Sequence, residues 1–309
     1  MPPRPASPRF FSLAPAPPAK VRRFLEEHAR LVDREMDRLL PAVSPESADV
    51  AAAMRYTALA PGKRLRPILA LAVADLYRAP RERVVPAACA LEMVHACSLI
   101  LDDLPCMDDA ATRRGRPANH RVHGEATAVL AAFALLNLAY GILSGAAAGL
   151  GDSIRAEAGR RLSLALGTDG MIGGQALDLA VSPSGVNLDR LEKVHSRKTG
   201  SLFIASVEVG AILGGAPEKE RSALAAFAKN LGLAYQIVDD LLDATGSIEQ
   251  IGKPVHADPR GNFVDLAGVE GARHLARELA DCAVEHLSPL GNRSSLLRGL
   301  ASELIHRER

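Results

Sequence analysis

The chain has 309 residues, a formal net charge of +1 and no tryptophan, with 48% hydrophobic and only 4% aromatic side chains. This near-neutral charge gives no electrostatic basis for binding nucleic acid or an anionic membrane surface. The composition predicts closely packed helices and few strands, so we expect an all-α fold. The four cysteines show no CxxC spacing and no zinc-type histidine partners, which indicates reduced thiols in a cytoplasmic protein.

The predicted elements begin after a proline-rich segment. Residues 1–20 contain too many prolines for a regular helix and are expected to form a flexible tail, which leaves residues 21–309 as a single domain. Hydrophobic periodicity and breaker residues predict helices at about 20–40, 47–60, 65–78, 85–103, 119–123, 125–149, 153–166, 187–195, 198–213, 217–245, 266–287 and 294–307. The segment at 246–265 is predicted to be a loop that closes over the site as a lid.

The stretch from Ala126 to Leu150 carries no charge and is long enough to span a membrane. It is rich in alanine and glycine and contains polar residues such as Asn137, so we predict a helix buried on all sides, in a bundle or in a dimer interface. No other stretch imitates a span, and we therefore expect no membrane-spanning segment.

Two aspartate clusters interrupt apolar stretches of the predicted helices: DDLPCMD at 102–108 and DDLLD at 239–243. Carboxylates are rarely buried without a cation, because desolvating an unpaired charge is costly. Mg²⁺ prefers oxygen ligands and is commonly held by one or two carboxylates together with substrate phosphates. One such cluster alone could be a solvated helix end, but two of them in apolar surroundings predict a magnesium site for a phosphorylated ligand.

Basic residues stand next to glycine and proline in GKRLRP at 62–67 and RRGRP at 113–117, and further cations follow at Lys198 and Lys253. The helix-breaking neighbours place these cations at helix ends, where phosphate oxygens can be reached. Each basic group alone is typical of a solvated surface. Together with the aspartates, they predict a cavity for two diphosphates, one held through metal and one held directly by arginine and lysine.

Several motifs resemble those of the trans-isoprenyl diphosphate synthases, or polyprenyl synthetases. In the family's order and spacing they are GKRLRP at 62–67, EMVHACSLILDDLPCMDD at 92–109, RRGRPANH at 113–120, GQALDL at 174–179, HSRKTGSLF at 195–203 and YQIVDDLLD at 235–243. The resemblance implies an all-α bundle around a central cavity, of the isoprenoid synthase type, and a homodimer. It also implies magnesium as the cofactor, with three ions, and isopentenyl diphosphate and allylic diphosphates as substrates.

The same resemblance implies roles for individual residues. The implied metal ligands are Asp102, Asp103, Asp108, Asp239 and Asp243. The implied contacts to the allylic diphosphate are Arg113, Lys198 and Lys253. The implied pocket for isopentenyl diphosphate consists of Lys63, Arg66, His95 and Arg114, although His95 without the motif would be interpreted as a core histidine. Thr199 and Gln236 are expected beside the reacting carbons, so the expected catalytic set is Asp102, Asp103, Lys198, Thr199, Gln236 and Asp239.

The chain departs from the family's pattern at several positions. Leu101 replaces the histidine usual before the first aspartate pair, and Ala132-Phe133 replaces a Gly-Asp pair. Asn262-Phe263 replaces two hydroxyl-bearing residues, a change expected to loosen the closed lid. Intact aspartate clusters favour an active prenyltransferase over a non-catalytic synthase-like subunit that modulates a partner. A class I terpene cyclase is disfavoured, because cyclases usually carry an Asn/Ser/Glu-type second metal motif.

Product length is expected to depend on Cys97 and Ser98, about one turn before the first aspartate pair. In the family, an aromatic residue at the position of Cys97 commonly stops growth at fifteen carbons. Both residues are small here, so the predicted product is geranylgeranyl diphosphate, with farnesyl diphosphate as the alternative. Phe133 lies on a bulky stripe typical of core packing, but the shorter product would be favoured if it projected into the cavity.

Overall fold

A computed structural model of the chain describes residues 15–45, 47–180, 187–245 and 261–305. Its α-helices are α1 (Pro18–Leu39), α2 (Ala48–Ala58), α3 (Leu65–Leu76), α4 (Arg81–Asp102), α5 (Asn119–His123), α6 (Glu125–Ala146), α7 (Asp152–Leu166), α8 (Met171–Leu179), α9 (Leu188–His195), α10 (Ser201–Leu213), α11 (Glu218–Thr245), α12 (Phe263–His286) and α13 (Ser295–Ile305). The remaining elements are a π-helix at Ser196–Gly200, a 3₁₀ helix at Ser288–Ser294, and the paired strands β1 (Thr112–Arg113) and β2 (Arg116–Pro117). The prediction of an all-α fold is confirmed.

The N-terminal segment joins the fold earlier than its proline content indicates. Ala16 is buried, and its backbone N–H donates to the Ser295 carbonyl at 2.8 Å. α1 begins at Pro18, inside the predicted tail, because proline is tolerated in the first turn of a helix. Residues 1–14 of that tail lie outside the described part of the chain.

The hydrophobic core is built around α4. All residues from Ala87 to Val94 are buried, as expected for a helix that is covered on every side. α10 packs against α3 so closely that a Cβ atom on Gly210 would lie 2.3 Å from the Ala70 carbonyl oxygen. Glycine is required there because no side chain fits between the two backbones. The C-terminal end of α4, which carries the first aspartate cluster, is therefore held by a closely packed core.

One face of α6 is not covered by the rest of the chain. In the described residues, α4 and α6 are long and apolar enough to cross a membrane by length and composition alone. The most apolar window of α4 is 72% buried, as in a core helix, whereas that of α6 is only 33% buried. Leu130 and Phe133 are 56% and 64% exposed, so they do not pack in the core of the single chain, and their burial in a dimer interface stays a prediction.

The last residues of the loop predicted at 246–265 begin a capped helix, whereas residues 246–260 of the predicted lid lie outside the described part of the chain. The Asn262 side-chain oxygen accepts a hydrogen bond from the backbone N–H of Asp265 at 2.9 Å. The Asp265 carboxylate in turn accepts one from the Asn262 N–H at 3.1 Å, which completes a capping box. Phe263 follows and is fully buried. These replacements for two hydroxyl-bearing residues stabilise the described start of α12, which the sequence pattern placed at about 266.

Candidate active site

The first aspartate cluster lies where α4 ends. Asp102 is the last residue of the helix, Asp103 is its C-cap, and the Asp108 backbone N–H returns to the Asp102 carbonyl at 3.0 Å. The C-terminus of a helix already carries partial negative charge, so carboxylates there are unfavourable unless a cation is near. The position of this cluster therefore requires positive charge.

Two side-chain cations meet that requirement. Arg113 Nε donates to Asp103 Oδ1 at 2.8 Å, and a second guanidinium nitrogen contacts the same oxygen. Lys198 Nζ lies 4.0 Å from Asp102 Oδ2 and 2.7 Å from Asp178 Oδ2. Burial nevertheless raises the pKa of Asp102 to about 6, against the opposing effect of Lys198, and Asp108 and Asp103 raise it further. The effect of burial on Asp102 therefore outweighs the stabilisation that Lys198 gives to the ionised carboxylate.

A tight hairpin separates two adjacent arginines. Arg113 ends β1 and pairs with Arg116 of β2, so Arg114 and Gly115 form a two-residue turn. Both turn residues have positive φ, as type I′ turns require, and this is uncommon for a side chain as large as arginine. The turn directs Arg113 to Asp103, whereas the Arg114 guanidinium donates to the Ala60 carbonyl at 3.3 Å.

The second aspartate cluster lies within α11, in a different environment. Asp239 is half-buried, Asp240 is buried, and Asp243 is exposed. The oxygens of Asp240 accept hydrogen bonds from Gln236 Nε2 at 3.0 Å and from the Phe263 backbone N–H at 3.0 Å. Burial raises the pKa of Asp240 to about 7, although both hydrogen bonds oppose that rise.

The π-helix at Ser196–Gly200 connects the two clusters. Lys198 contacts Asp102, and the next residue, Thr199, donates its hydroxyl to Gln236 Oε1 at 3.2 Å. Gln236 in turn contacts Asp240. Short π-helical segments are rare and occur often at functional sites. Two neighbouring residues of one turn therefore bring the end of α4 and the middle of α11 into a single site.

Close packing of α8 fixes the π-helix in place. A Cβ atom on Gly174 would lie 2.2 Å from the Lys198 backbone nitrogen, so only glycine allows this approach. α8 also carries Asp178, the closer carboxylate partner of Lys198. Asp178 lies in the GQALDL motif, but the sequence pattern predicts no role for it. Its spacing from Gly174, about one helical turn, is a signal that could have placed both residues on the face toward Lys198.

The residues predicted to bind the second diphosphate also come together. The Arg114 guanidinium lies against Gly62, next to exposed Lys63, because a Cβ on Gly62 would be 2.7 Å from Arg114 Nη1. His95 is half-buried, and its pKa lies well below its usual value because of burial and the charges of Arg66 and Arg114. The imidazole is therefore neutral at physiological pH. The clustered positive charge is suited to an anion.

A buried ion pair missed in the sequence supports this basic region. Arg64 Nη1 donates to Glu92 Oε1 at 2.9 Å, and Arg64 Nε donates to Asp33 Oδ1 at 2.7 Å. Glu92 is buried on α4, and its charge raises the pKa of Arg66 and Arg114 against the larger effect of burial. Arg64 lies inside the GKRLRP motif, yet nothing in the sequence pattern distinguishes it from the ligand-binding cations beside it.

The described part of the chain contains no group of three or more His, Cys, Asp or Glu side chains arranged as a complete metal cage. Open clusters of one or two carboxylates fit magnesium, which retains waters and completes its shell with substrate phosphates. The raised pKa of Asp102 fits the same ion, because a bound cation would favour the ionised carboxylate. The donor set therefore suits magnesium. Lys253 lies outside the described residues.

The predicted product-length residues lie one turn before Asp102 on α4. Cys97 is buried, and burial raises the pKa of its thiol to about 12, so it behaves as a small apolar side chain. Ser98 is half-buried and donates its hydroxyl to the His95 carbonyl at 2.9 Å. Neither side chain adds bulk or charge at this level of the helix.

A helical fold with two linked aspartate clusters and a basic region defines a class of diphosphate-using enzymes. The sequence profile of the polyprenyl synthetase family matches residues 47–278, three quarters of the chain. The chain belongs to this family and is a prenyltransferase.

Two relatives and one solved structure support the assignment. Geranylgeranyl pyrophosphate synthase 4 of Arabidopsis thaliana is 40% identical over 270 residues, which cover 85% of this chain and 72% of that protein. Farnesyl diphosphate synthase of Bacillus subtilis is 40% identical over 265 residues, covering 82% and 87%. The crystal structure of an FPP/GFPP synthase from Zymomonas mobilis is 36% identical and superposes with a TM-score of 0.83, covering 94% of this chain and all of that one. The isoprenoid synthase type of fold is thereby confirmed.

Proposed function

We propose that the protein condenses isopentenyl diphosphate with an allylic diphosphate in a magnesium-dependent reaction. The observation that carries this proposal is the pair Lys198 and Thr199, which link the first aspartate cluster to the second through Gln236. Lys198 offers positive charge for a leaving diphosphate, and Thr199 and Gln236 offer neutral oxygen dipoles. That combination suits a reaction in which an anion leaves a carbon cation behind.

The proposed reaction begins when the C–O bond of the allylic substrate breaks. Bound magnesium ions would supply positive charge to the departing diphosphate, and Lys198 and Arg113 would add theirs where negative charge develops. The oxygens of Thr199 and Gln236 would stabilise the allylic cation. Lys63 and Arg114 would hold the diphosphate of the second substrate while its terminal alkene attacks that cation. The released diphosphate would then accept the proton, so no side-chain nucleophile is needed.

Geranylgeranyl diphosphate is the proposed main product. The small side chains of Cys97 and Ser98 support a deep cavity, and several relatives are named for this product. Farnesyl diphosphate is the second candidate, because the Bacillus subtilis relative is named for it. Chromatography of products made from isopentenyl diphosphate with dimethylallyl, geranyl or farnesyl diphosphate separates the two. Twenty-carbon product from all three primers is expected, and accumulation of fifteen-carbon product would favour the alternative.

The cavity depth is tested by Cys97→Phe. An aromatic ring one turn before Asp102 should stop the growing chain, so the product should shorten to fifteen carbons with little loss of total turnover. The same substitution at exposed Cys282 on α12 is the matched control and should change nothing. An unchanged product distribution in the first variant would show that chain length is set elsewhere.

The uncovered face of α6 supports a homodimer. An apolar helix with Leu130 and Phe133 exposed to water is unfavourable for a lone chain, and a second copy would cover it. Light scattering after size exclusion should give twice the chain mass, and Phe133→Ser should shift it toward the monomer. Val122→Ser, at an exposed apolar position on α5, serves as control. Activity without any added partner would exclude the alternative of a non-catalytic subunit.

A cytoplasmic location is proposed on the four free cysteines, two of them exposed. Free thiols persist in reducing compartments. Fractionation of source cells followed by detection of the native protein would test this location.

A further inference from the structure

We infer that Asp240 is a positioning residue that sets the direction of the hydrogen bonds at the cation-stabilising end of the site. The inference deepens the proposed function and rests on it. Asp240 is the second aspartate of the DDLLD motif, yet its surroundings differ from those of Asp239 and Asp243. It is only 7% exposed and faces protein donors.

Both oxygens of Asp240 are already occupied by N–H groups. Oδ1 accepts from Gln236 Nε2 and Oδ2 accepts from the backbone N–H of Phe263, each at 3.0 Å. Phe263 is the first residue of α12, where backbone N–H groups lack partners within the helix. The Asn262 cap binds the N–H of Asp265, so Asp240 supplies the acceptor that Phe263 needs. The Asp240 carboxylate thus joins α11 to the start of α12 through hydrogen bonds.

The carboxylate determines which way the Gln236 amide points. Both oxygens of Asp240 accept from N–H groups, so the amide turns its NH₂ group toward Asp240. Its carbonyl oxygen then faces Thr199 and accepts the Thr199 hydroxyl proton at 3.2 Å. A threonine hydroxyl has one proton and two lone pairs. With that proton given to Gln236, the Thr199 oxygen has only electron pairs to offer a neighbouring cation.

The amide orientation therefore has a chemical consequence at the π-helix. If the amide were reversed, its NH₂ group would face Thr199, and the hydroxyl would have to accept rather than donate. The hydroxyl proton would then be free to point toward the developing cation and oppose it. Preorganised dipoles of the correct sign are a major source of catalysis, so the reversal should slow the chemical step rather than weaken substrate binding.

Asp240→Asn produces this reversal with little change of shape. The introduced asparagine can still accept from the Phe263 N–H through its oxygen, while its NH₂ group donates to the Gln236 carbonyl. We expect kcat to fall about 10- to 100-fold. The KM of isopentenyl diphosphate and the magnesium concentration for half-maximal activity should stay unchanged.

The double variant Asp240→Asn/Gln236→Glu should restore the original direction. The introduced glutamate would accept from the new asparagine with one oxygen and from Thr199 with the other, and the total charge would equal that of the wild type. Recovery of kcat to within about tenfold of the wild type is expected, since only the proton direction at Thr199 matters. The single change Gln236→Glu places two carboxylates side by side and should be less active than the double variant.

Three outcomes overturn the inference. A raised magnesium requirement in Asp240→Asn would make Asp240 a metal ligand. Wild-type kcat in that variant would show that the amide direction has no effect on the reaction. A double variant that is unfolded, or no more active than the folded single variant, would remove the positioning role. Should Asp240→Asn itself fail to fold, activity of the double variant decides. A wild-type protein without turnover would instead refute the proposed function, which separates the two failures.

Discussion

The two aspartate clusters have similar sequences but different chemical environments. At the end of α4, Asp102 and Asp103 are balanced by the side-chain cations Lys198 and Arg113. Within α11, Asp240 is balanced by the neutral N–H groups of Gln236 and Phe263. Cations that neutralise a carboxylate can also bind a diphosphate, whereas N–H dipoles orient their neighbours. A repeated motif therefore does not imply a repeated role, because the neighbours decide what each carboxylate does.

The largest expected effect comes from removing one expected metal ligand of either cluster. Asp102→Ala and Asp239→Ala should each lower turnover by about a thousandfold or more, since charge stabilisation by a metal contributes several kcal/mol to the transition state. Helical content by circular dichroism should persist. Asp109→Ala, at an exposed loop carboxylate paired with Arg121, is the control and should remain active. Loss at only one cluster would show that the other binds no metal.

Glu92, in the buried part of α4, is also paired with a side-chain cation, Arg64. Arg64→Met leaves a buried carboxylate without its partner and should lower the free energy of unfolding by about 3–5 kcal/mol. The double variant Arg64→Met/Glu92→Leu removes both charges and should recover most of that loss in urea unfolding. If the single and double variants were equally unstable, packing rather than charge would explain the effect.

The pKa of Asp102 makes the stability of the metal-free protein depend on pH. The pKa of this carboxyl is about 6 in the folded chain against an ordinary value of 3.8, so ionisation disfavours the folded state. The folded state has its full stability below about pH 4 and loses it as pH rises through about 6. Asp102→Asn removes this loss, and at neutral pH it should be more stable than the wild type by up to about 3 kcal/mol.

Urea unfolding in a chelator, from about pH 4 to about pH 8, measures this difference. The difference in free energy of unfolding between Asp102→Asn and the wild type should be near zero at the acid end and increase as pH rises. A gap that stays constant with pH would mean that Lys198 already neutralises the carboxylate.

A smaller effect is expected from substitutions that test which cations bind which substrate. Arg114→Ala or Lys63→Ala removes a charge-assisted contact worth about 1.5–3 kcal/mol, so the KM of isopentenyl diphosphate should rise about 10- to 100-fold. The KM of the allylic substrate should change little. Arg121→Ala, at an exposed arginine paired with Asp109, is the matched control. Equal rises in both constants would contradict the division.

The sequence predicted the all-α fold because periodicity and helix breakers are local signals. It also located both aspartate clusters, since charges in apolar stretches stand out. It missed the π-helix because residues 198–213 have a continuous helical pattern. It missed the roles of Glu92 and Asp178, because a partner that is distant in the sequence cannot be identified from local residue spacing. The helix cap formed by Asn262 was not foreseen, although asparagine is a strong cap, and the expected loosening of the lid stays a prediction.

The π-helix also makes the site sensitive to the number of residues in this turn rather than to which residues they are. Each residue of an α-helix rotates the chain by about 100° and advances it by about 1.5 Å. Deleting one residue from Ser196–Gly200 would convert the wide turn to an ordinary one and turn everything on its N-terminal side relative to α10. If the deleted residue were Ser196 or Arg197, Lys198 and Thr199 would both remain but would no longer reach opposite clusters. A single-codon deletion here should therefore be as damaging as the loss of an aspartate.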